Sequence, residues 1–150
     1  MSVASNVTSG VPQGSVISPT LFCIFIDSLL RSLAELVGSG SYAFADDLKF
    51  ITSTSSGNYH VAQQAVDLVH DWSVTHRMPL SIEKSGVLHC GTNNPGHKYN
   101  LAGRQLPQLE HLKDLGVLRS TTAAYSDHIN RLVPACNRLC GAIKREPTLL

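Results

Sequence analysis

The chain has 150 residues, 43% of them apolar, and a formal net charge of +1. This length supports one domain with a core, and this composition excludes a disordered chain. No apolar run approaches the ~20 residues that span a bilayer, and Met1–Ser5 lacks the basic and apolar regions of a secretory signal, so an intracellular protein is expected.

The charge is uneven. Residues 1–100 carry five Lys/Arg against seven Asp/Glu, and residues 101–150 carry seven against four. Neither balance is the strong basic footprint usual for a protein that binds nucleic acid tightly by itself. Cys23, Cys90, Cys136 and Cys140 form no CxxC pair, and three of them lie on apolar stripes. Buried, reduced thiols are expected rather than a zinc site. The seven histidines match no metal-ligand spacing.

Residues 1–9 are small and polar, and Gly10-Val11-Pro12-Gln13-Gly14-Ser15 reads as a loop. Ser18-Pro19 predicts a helix start, with Ser18 as N-cap and Pro19 in the first position. Phe22, Ile26, Leu29, Leu30, Leu33 and Leu36 recur at helical spacing, and Gly38 and Gly40 end that helix. Tyr42-Ala43-Phe44 and Leu48-Lys49-Phe50 flank Asp46-Asp47, which predicts a tight hairpin with both acids at its tip. Its flanking residues suggest a central hairpin, apolar on both faces. A second amphipathic helix runs from about Tyr59 to His76 through Val61, Ala65, Leu68, Val69 and Trp72, and Met78-Pro79 stops it.

Leu80–Ile82 and Val87–Cys90 read as short strands around Glu83-Lys84-Ser85-Gly86, and Asn93-Asn94-Pro95-Gly96 as a loop. Residues 98–119 hold strand-like pieces broken by Gly103, Pro107 and Gly116. A last helix starts near Ser126-Asp127, with Ile129, Leu132, Val133, Cys136, Leu139 and Ile143 as its expected buried face. Pro134 inside it should kink or split it. The order predicts an α+β fold, a small, mostly antiparallel sheet with helices packed on one face.

The chemistry concentrates at Asp46-Asp47. Neighbouring carboxylates repel, and a hard divalent cation relieves the repulsion by taking oxygen ligands from them, from water and from substrate phosphates. Taken alone, an Asp-Asp pair is also a common polar turn. The combination of Val11-Pro12-Gln13-Gly14-Ser15-Val16-Ile17-Ser18-Pro19 with Phe44-Ala45-Asp46-Asp47 resembles reverse transcriptases, most closely those of non-LTR, LINE-type retrotransposons. Trp72 through Lys84 to Leu88-His89-Cys90 is similar to that family's next helix–strand motif. Leu112-Lys113-Asp114-Leu115-Gly116-Val117 resembles its hairpin at the primer end.

The resemblance covers roughly residues 10–145. It implies a partial polymerase palm over residues 1–125 and a palm-to-thumb helix over 126–150. It implies an RNA template, a DNA primer and a dNTP as partners, no membrane, a nuclear or cytoplasmic location, and Mg²⁺ (or Mn²⁺) as cofactor. Two such ions, about 3.5–4 Å apart, stabilise the attacking and leaving oxygens of an in-line displacement. By the same resemblance Asp46 and Asp47 are the catalytic metal ligands, Asp46 the more direct one. Gln13, Gly14, Ser15 and Phe44 line the nucleotide and template pocket. Lys84 approaches the leaving pyrophosphate, and Leu115, Gly116 and Val117 form the primer grip.

The chain departs from the family in two places. Ser81-Ile82-Glu83 stands where the family has Asn shortly before its lysine, and no Asp or Glu precedes Gln13, where the family carries a further catalytic aspartate. The 150 residues are therefore expected to be inactive by themselves. Two other readings follow, a non-catalytic nucleic-acid-binding module and a relic retrotransposon fragment. Phe-Ala-Asp-Asp argues against an RNA-dependent RNA polymerase palm, where Gly-Asp-Asp is more usual. Arg131, Arg138, Lys144 and Arg145 decorate the last helix as exposed, solvated charges or as phosphate contacts.

Overall fold

The first apolar stripe folds as its spacing predicts. In the computed structural model, which describes residues 10, 14–53, 58–122 and 124–143, α1 spans Ser18–Val37 and buries Ile26, Leu29 and Leu33. Phe22, Leu30 and Leu36 pack at the margin of the same core. The helix begins one residue earlier than expected. Ile17 is the N-cap, Ser18 is the first helical residue and no side chain caps the turn. The Ser18 N–H donates to the Ser15 carbonyl at 3.3 Å, so the turn is already closed ahead of Ser18.

Gly38 (φ 70°) ends α1 and opens a 3₁₀ turn, Gly38–Gly40. Gly40 has no room for a side chain, since a Cβ there would lie 2.5 Å from the Ile51 carbonyl oxygen. The Gly40 carbonyl in turn accepts the Ile51 N–H at 2.7 Å. This clamp closes the open end of a hairpin, β1 (Ser41–Phe44) against β2 (Asp47–Phe50), with Ala43 opposite Leu48. Ala43, Leu48 and Phe50 point onto the α1 core.

α2 spans Tyr59–Thr75 and buries Ala62, Ala65, Val66, Val69 and Ser73. Ala65 and Val69 complete the cluster with Ile26, Leu29 and Leu33, and the Trp72 indole N–H donates to Ser28 Oγ at 3.2 Å. Beyond α2 the Met78 N–H reaches the Ser73 carbonyl and the Arg77 N–H the Val74 carbonyl, with Arg77 at φ 55°. That is a Schellman stop with arginine where glycine is usual.

The chain divides into two compact units, residues 1–80 and 81–150, where its length suggested one domain. In the second unit the expected strand at Leu80–Ile82 is absent, and Ile82–Lys84 forms a 3₁₀ turn. The Ser85 hydroxyl donates to the Ser81 carbonyl at 2.8 Å, a local bond that competes with strand pairing. β3 (Val87–Leu88) pairs in parallel with β6 (Gln108–Leu109), and β4 (Asn100–Leu101) pairs antiparallel with β5 (Arg104–Gln105). Tyr99, Leu101 and Leu106 are buried around them. β7 (His111–Asp114) and β8 (Val117–Ser120) form a second hairpin, and α3 (Ser126–Ile143) follows.

The α+β class stands, but the single small sheet does not. Among the described residues there are four separate two-stranded ladders, three antiparallel and one parallel. The Asp46-Asp47 hairpin is not central. Its outer face, with Tyr42 at 50% and Phe44 at 63% exposure, is open.

The expected buried face of α3 is also open. Ile129, Leu132, Val133 and Leu139 are exposed, because α3 meets its hairpin chiefly through its first turn, where His128 Nδ1 accepts the Leu118 N–H at 3.2 Å. Pro134 sits inside α3, which runs unbroken across it. All four cysteines are free and exposed, contrary to the expectation of burial: Cys136 and Cys140 lie on α3 and Cys23 on α1 away from its buried stripe. Among the described residues no helix is long and apolar enough to cross a membrane.

Two outcomes follow from these cores. Leu33 is fully buried, so Leu33→Ala should destabilise the first unit by about 3 kcal/mol, read from the urea midpoint. In the second unit, burial pushes the Tyr99 hydroxyl above its ordinary value. The fold therefore favours the neutral phenol. Its contribution is intact below about pH 10, the unfolded value, and is lost as pH rises through the folded one. Tyr99→Phe should flatten the loss of stability between pH 9 and 11, measured by denaturation across that range.

Candidate active site

The hairpin puts the two acids in different backbone environments. Phe44 pairs with Asp47, which leaves Ala45 and Asp46 as a two-residue loop. Asp46 is thus at the tip, while Asp47 is the first residue of β2 and stands on the outer face with Phe44. Ala45 takes φ 50°, the positive value that hairpin turns of the primed type demand at their first central residue. A non-glycine residue held there stores on the order of 1 kcal/mol of strain, and such strain gathers at functional sites.

Asp46 and Asp47 are both exposed. Their oxygens suit a hard cation such as Mg²⁺, which is commonly held by one or two carboxylates with water and phosphate oxygens for the rest. Among the described residues no cluster of three or more His, Cys, Asp or Glu side chains could hold a metal ion. Two carboxylates alone fall short of the six or more oxygens such an ion takes.

Gly14 and Ser15 lie just ahead of α1, in the same unit as the hairpin. Gly14 is at φ 81° with nothing within 4 Å of a Cβ built on it, so conformation rather than close packing calls for glycine there. Gln13 lies outside the described residues. Lys84 closes the 3₁₀ turn of the second unit with its side chain exposed. Leu115 and Gly116 are the two-residue loop between β7 and β8, both at positive φ (47° and 89°), and Val117 opens β8. Arg131 and Arg138 are exposed on α3, and Lys144 and Arg145 fall outside the described residues.

Two residues on the hairpin's outer face escaped the sequence reading. Tyr42 lies opposite Lys49, whose Nζ is 5.8 Å from the Tyr42 ring centroid. A two-residue loop at Ala45-Asp46 fixes that pairing, so the alternation of Tyr42, Phe44, Asp47 and Lys49 was the available signal.

Residues 3–125 match the family described as reverse transcriptase (RNA-dependent DNA polymerase). A protein of transposon X-element from Drosophila melanogaster is 29% identical over 136 residues, covering 86% of this chain and 15% of that protein. The Retrovirus-related Pol polyprotein from type-1 retrotransposable element R1 of Bradysia coprophila is 26% identical over 149 residues, covering 95% and 15%. The RNA-directed DNA polymerase from mobile element jockey of Drosophila funebris is 27% identical over 143 residues, covering 84% and 14%. The chain thus spans about 15% of the length of the first of these relatives. No solved structure matches it.

The strained loops give a direct check. Ala45→Gly and Leu115→Asn each place a residue that accepts positive φ at its turn. Each should raise stability by about 1 kcal/mol, seen as a higher midpoint in thermal or urea unfolding.

Proposed function

Because the chain belongs to the reverse transcriptase family, in its non-LTR retrotransposon branch, we propose that it is part of the palm of an RNA-directed DNA polymerase. The observation that carries this reading is the hairpin tip, where a strained two-residue loop presents Asp46 beside Asp47 on a β-ribbon whose other face packs on the core. A fold gains nothing in stability from that pairing, whereas polymerisation needs it.

Asp46 and Asp47 would hold Mg²⁺, which when bound supplies Lewis-acid stabilisation to the oxygens of phosphoryl transfer. Asp46, free of strand pairing, is the more direct ligand, and Asp47 supports it from the strand. Phe44, opposite Asp47, offers an aromatic wall for the incoming nucleotide. Gln13, Gly14 and Ser15 bind the nucleotide and template, Gln13 with both a donor and an acceptor. Lys84 balances charge or donates a proton at the leaving pyrophosphate. Leu115, Gly116 and Val117 support the primer end, with the apolar Leu115 side chain at the loop. α3 is the first helix toward the thumb.

Within these 150 residues no acid precedes Gln13. Two carboxylates balance two of the four charges that two Mg²⁺ ions bring, so the polypeptide alone should not polymerise. Two measurements test the reading. Mn²⁺ added to the isotope-labelled chain should broaden the amide signals of residues 44–48, and Asp46→Asn should abolish that broadening. Primer extension on an RNA template with Mg²⁺ or Mn²⁺ should give no template-dependent product. Broadening that ignores Asp46→Asn overturns the metal site, and incorporation that Asp46→Asn abolishes overturns the inactivity.

A further inference from the structure

The outer face of the β1–β2 hairpin carries more than the acids. The register sets Phe44 opposite Asp47 and Tyr42 opposite Lys49, and all four stand away from the core that Ala43, Leu48 and Phe50 contact. Asp47 and Lys49 are two residues apart on one strand, about 7 Å along the pleat. For a bare divalent cation this is a poor arrangement, because a lysine about 7 Å away repels it by roughly 1.2 kcal/mol in water. The arrangement suits a ligand that brings phosphate to the lysine while its reacting end lies at the carboxylates.

Tyr42 keeps the lysine in place. An ammonium over an exposed aromatic ring gains about 0.5–1 kcal/mol. A lysine already restrained loses less side-chain freedom on binding than one that swings freely. The half-exposed ring leaves an aromatic surface next to the charge, and basic side chains interleaved with aromatics are how proteins follow a nucleic-acid strand without reading its sequence. An isolated lysine on an open strand also guards that edge against strand addition, but such a guard needs no aromatic partner and no carboxylate on its own face.

We propose that Lys49, held by Tyr42, binds the sugar–phosphate backbone of the nucleic-acid strand whose end lies at Asp46 and Asp47. Lys49 is a binding residue and Tyr42 its positioning residue. This inference rests on the polymerase reading above.

The test measures binding without catalysis. The 150-residue chain is titrated against a fluorescein-labelled DNA primer annealed to an RNA template, in EDTA, across a series of KCl concentrations. Each phosphate contact contributes about one unit to the slope of log affinity against log salt. Lys49→Gln and Lys49→Met should both weaken binding several-fold and make the slope shallower by about one. Lys49→Arg and Tyr42→Phe should keep the parent slope, and Tyr42→Ala should lose part of it. A parent slope in both Lys49→Gln and Lys49→Met overturns this proposal and leaves the polymerase reading intact. Absence of any salt-dependent binding by the parent chain likewise overturns this proposal, while the polymerase reading stands or falls on the Mn²⁺ broadening at residues 44–48.

Discussion

The hairpin can carry two neighbouring carboxylates because its other face is anchored. Ala43, Leu48 and Phe50 pack on the stripe of Ile26, Leu29 and Leu33, and the Gly40–Ile51 hydrogen bond ties its open end to the close of α1. Burial on one face offsets repulsion on the tip, since each large apolar side chain removed from water contributes about 1.5–3 kcal/mol. A free two-stranded ribbon is only marginally stable in water. Backed by a helix, the ribbon can keep Ala45 in its left-handed conformation and still present Asp46.

α2 adds to the same anchor. Ala65 and Val69 are small enough for the helix to sit close to α1, and the Trp72–Ser28 hydrogen bond joins the two helices at the margin of that contact. One stripe of α1 thus gathers both partners, the ribbon and α2, into a single core.

Much of this was legible in the residues. The helical stripes at 22–36 and 61–72, the glycines after Val37 and the apolar runs around Asp46-Asp47 fixed three elements to within a residue or two. The starting residue of α1 was misplaced because Ser15 closes a turn with its carbonyl, a backbone event no side chain announces. The sheet was over-read because strand pairing depends on partners distant in sequence, and β3 with β6 joins residues 87–88 to 108–109 in parallel. The stripe on α3 was read correctly as amphipathic, yet periodicity cannot say whether anything covers it. The Asp46-Asp47 hairpin was legible as a turn between two apolar runs, whereas the pairing of Tyr42 with Lys49 follows from where the loop falls.

Among the described residues three of the four ladders join strands adjacent along the chain, β1 with β2, β4 with β5 and β7 with β8. Pairings of that kind close short loops, and low contact order goes with rapid folding. Each ribbon can form soon after its second strand leaves the ribosome, while the parallel β3–β6 pair must wait for some twenty more residues to be synthesised. Assembly of the second half is thereby paced by translation.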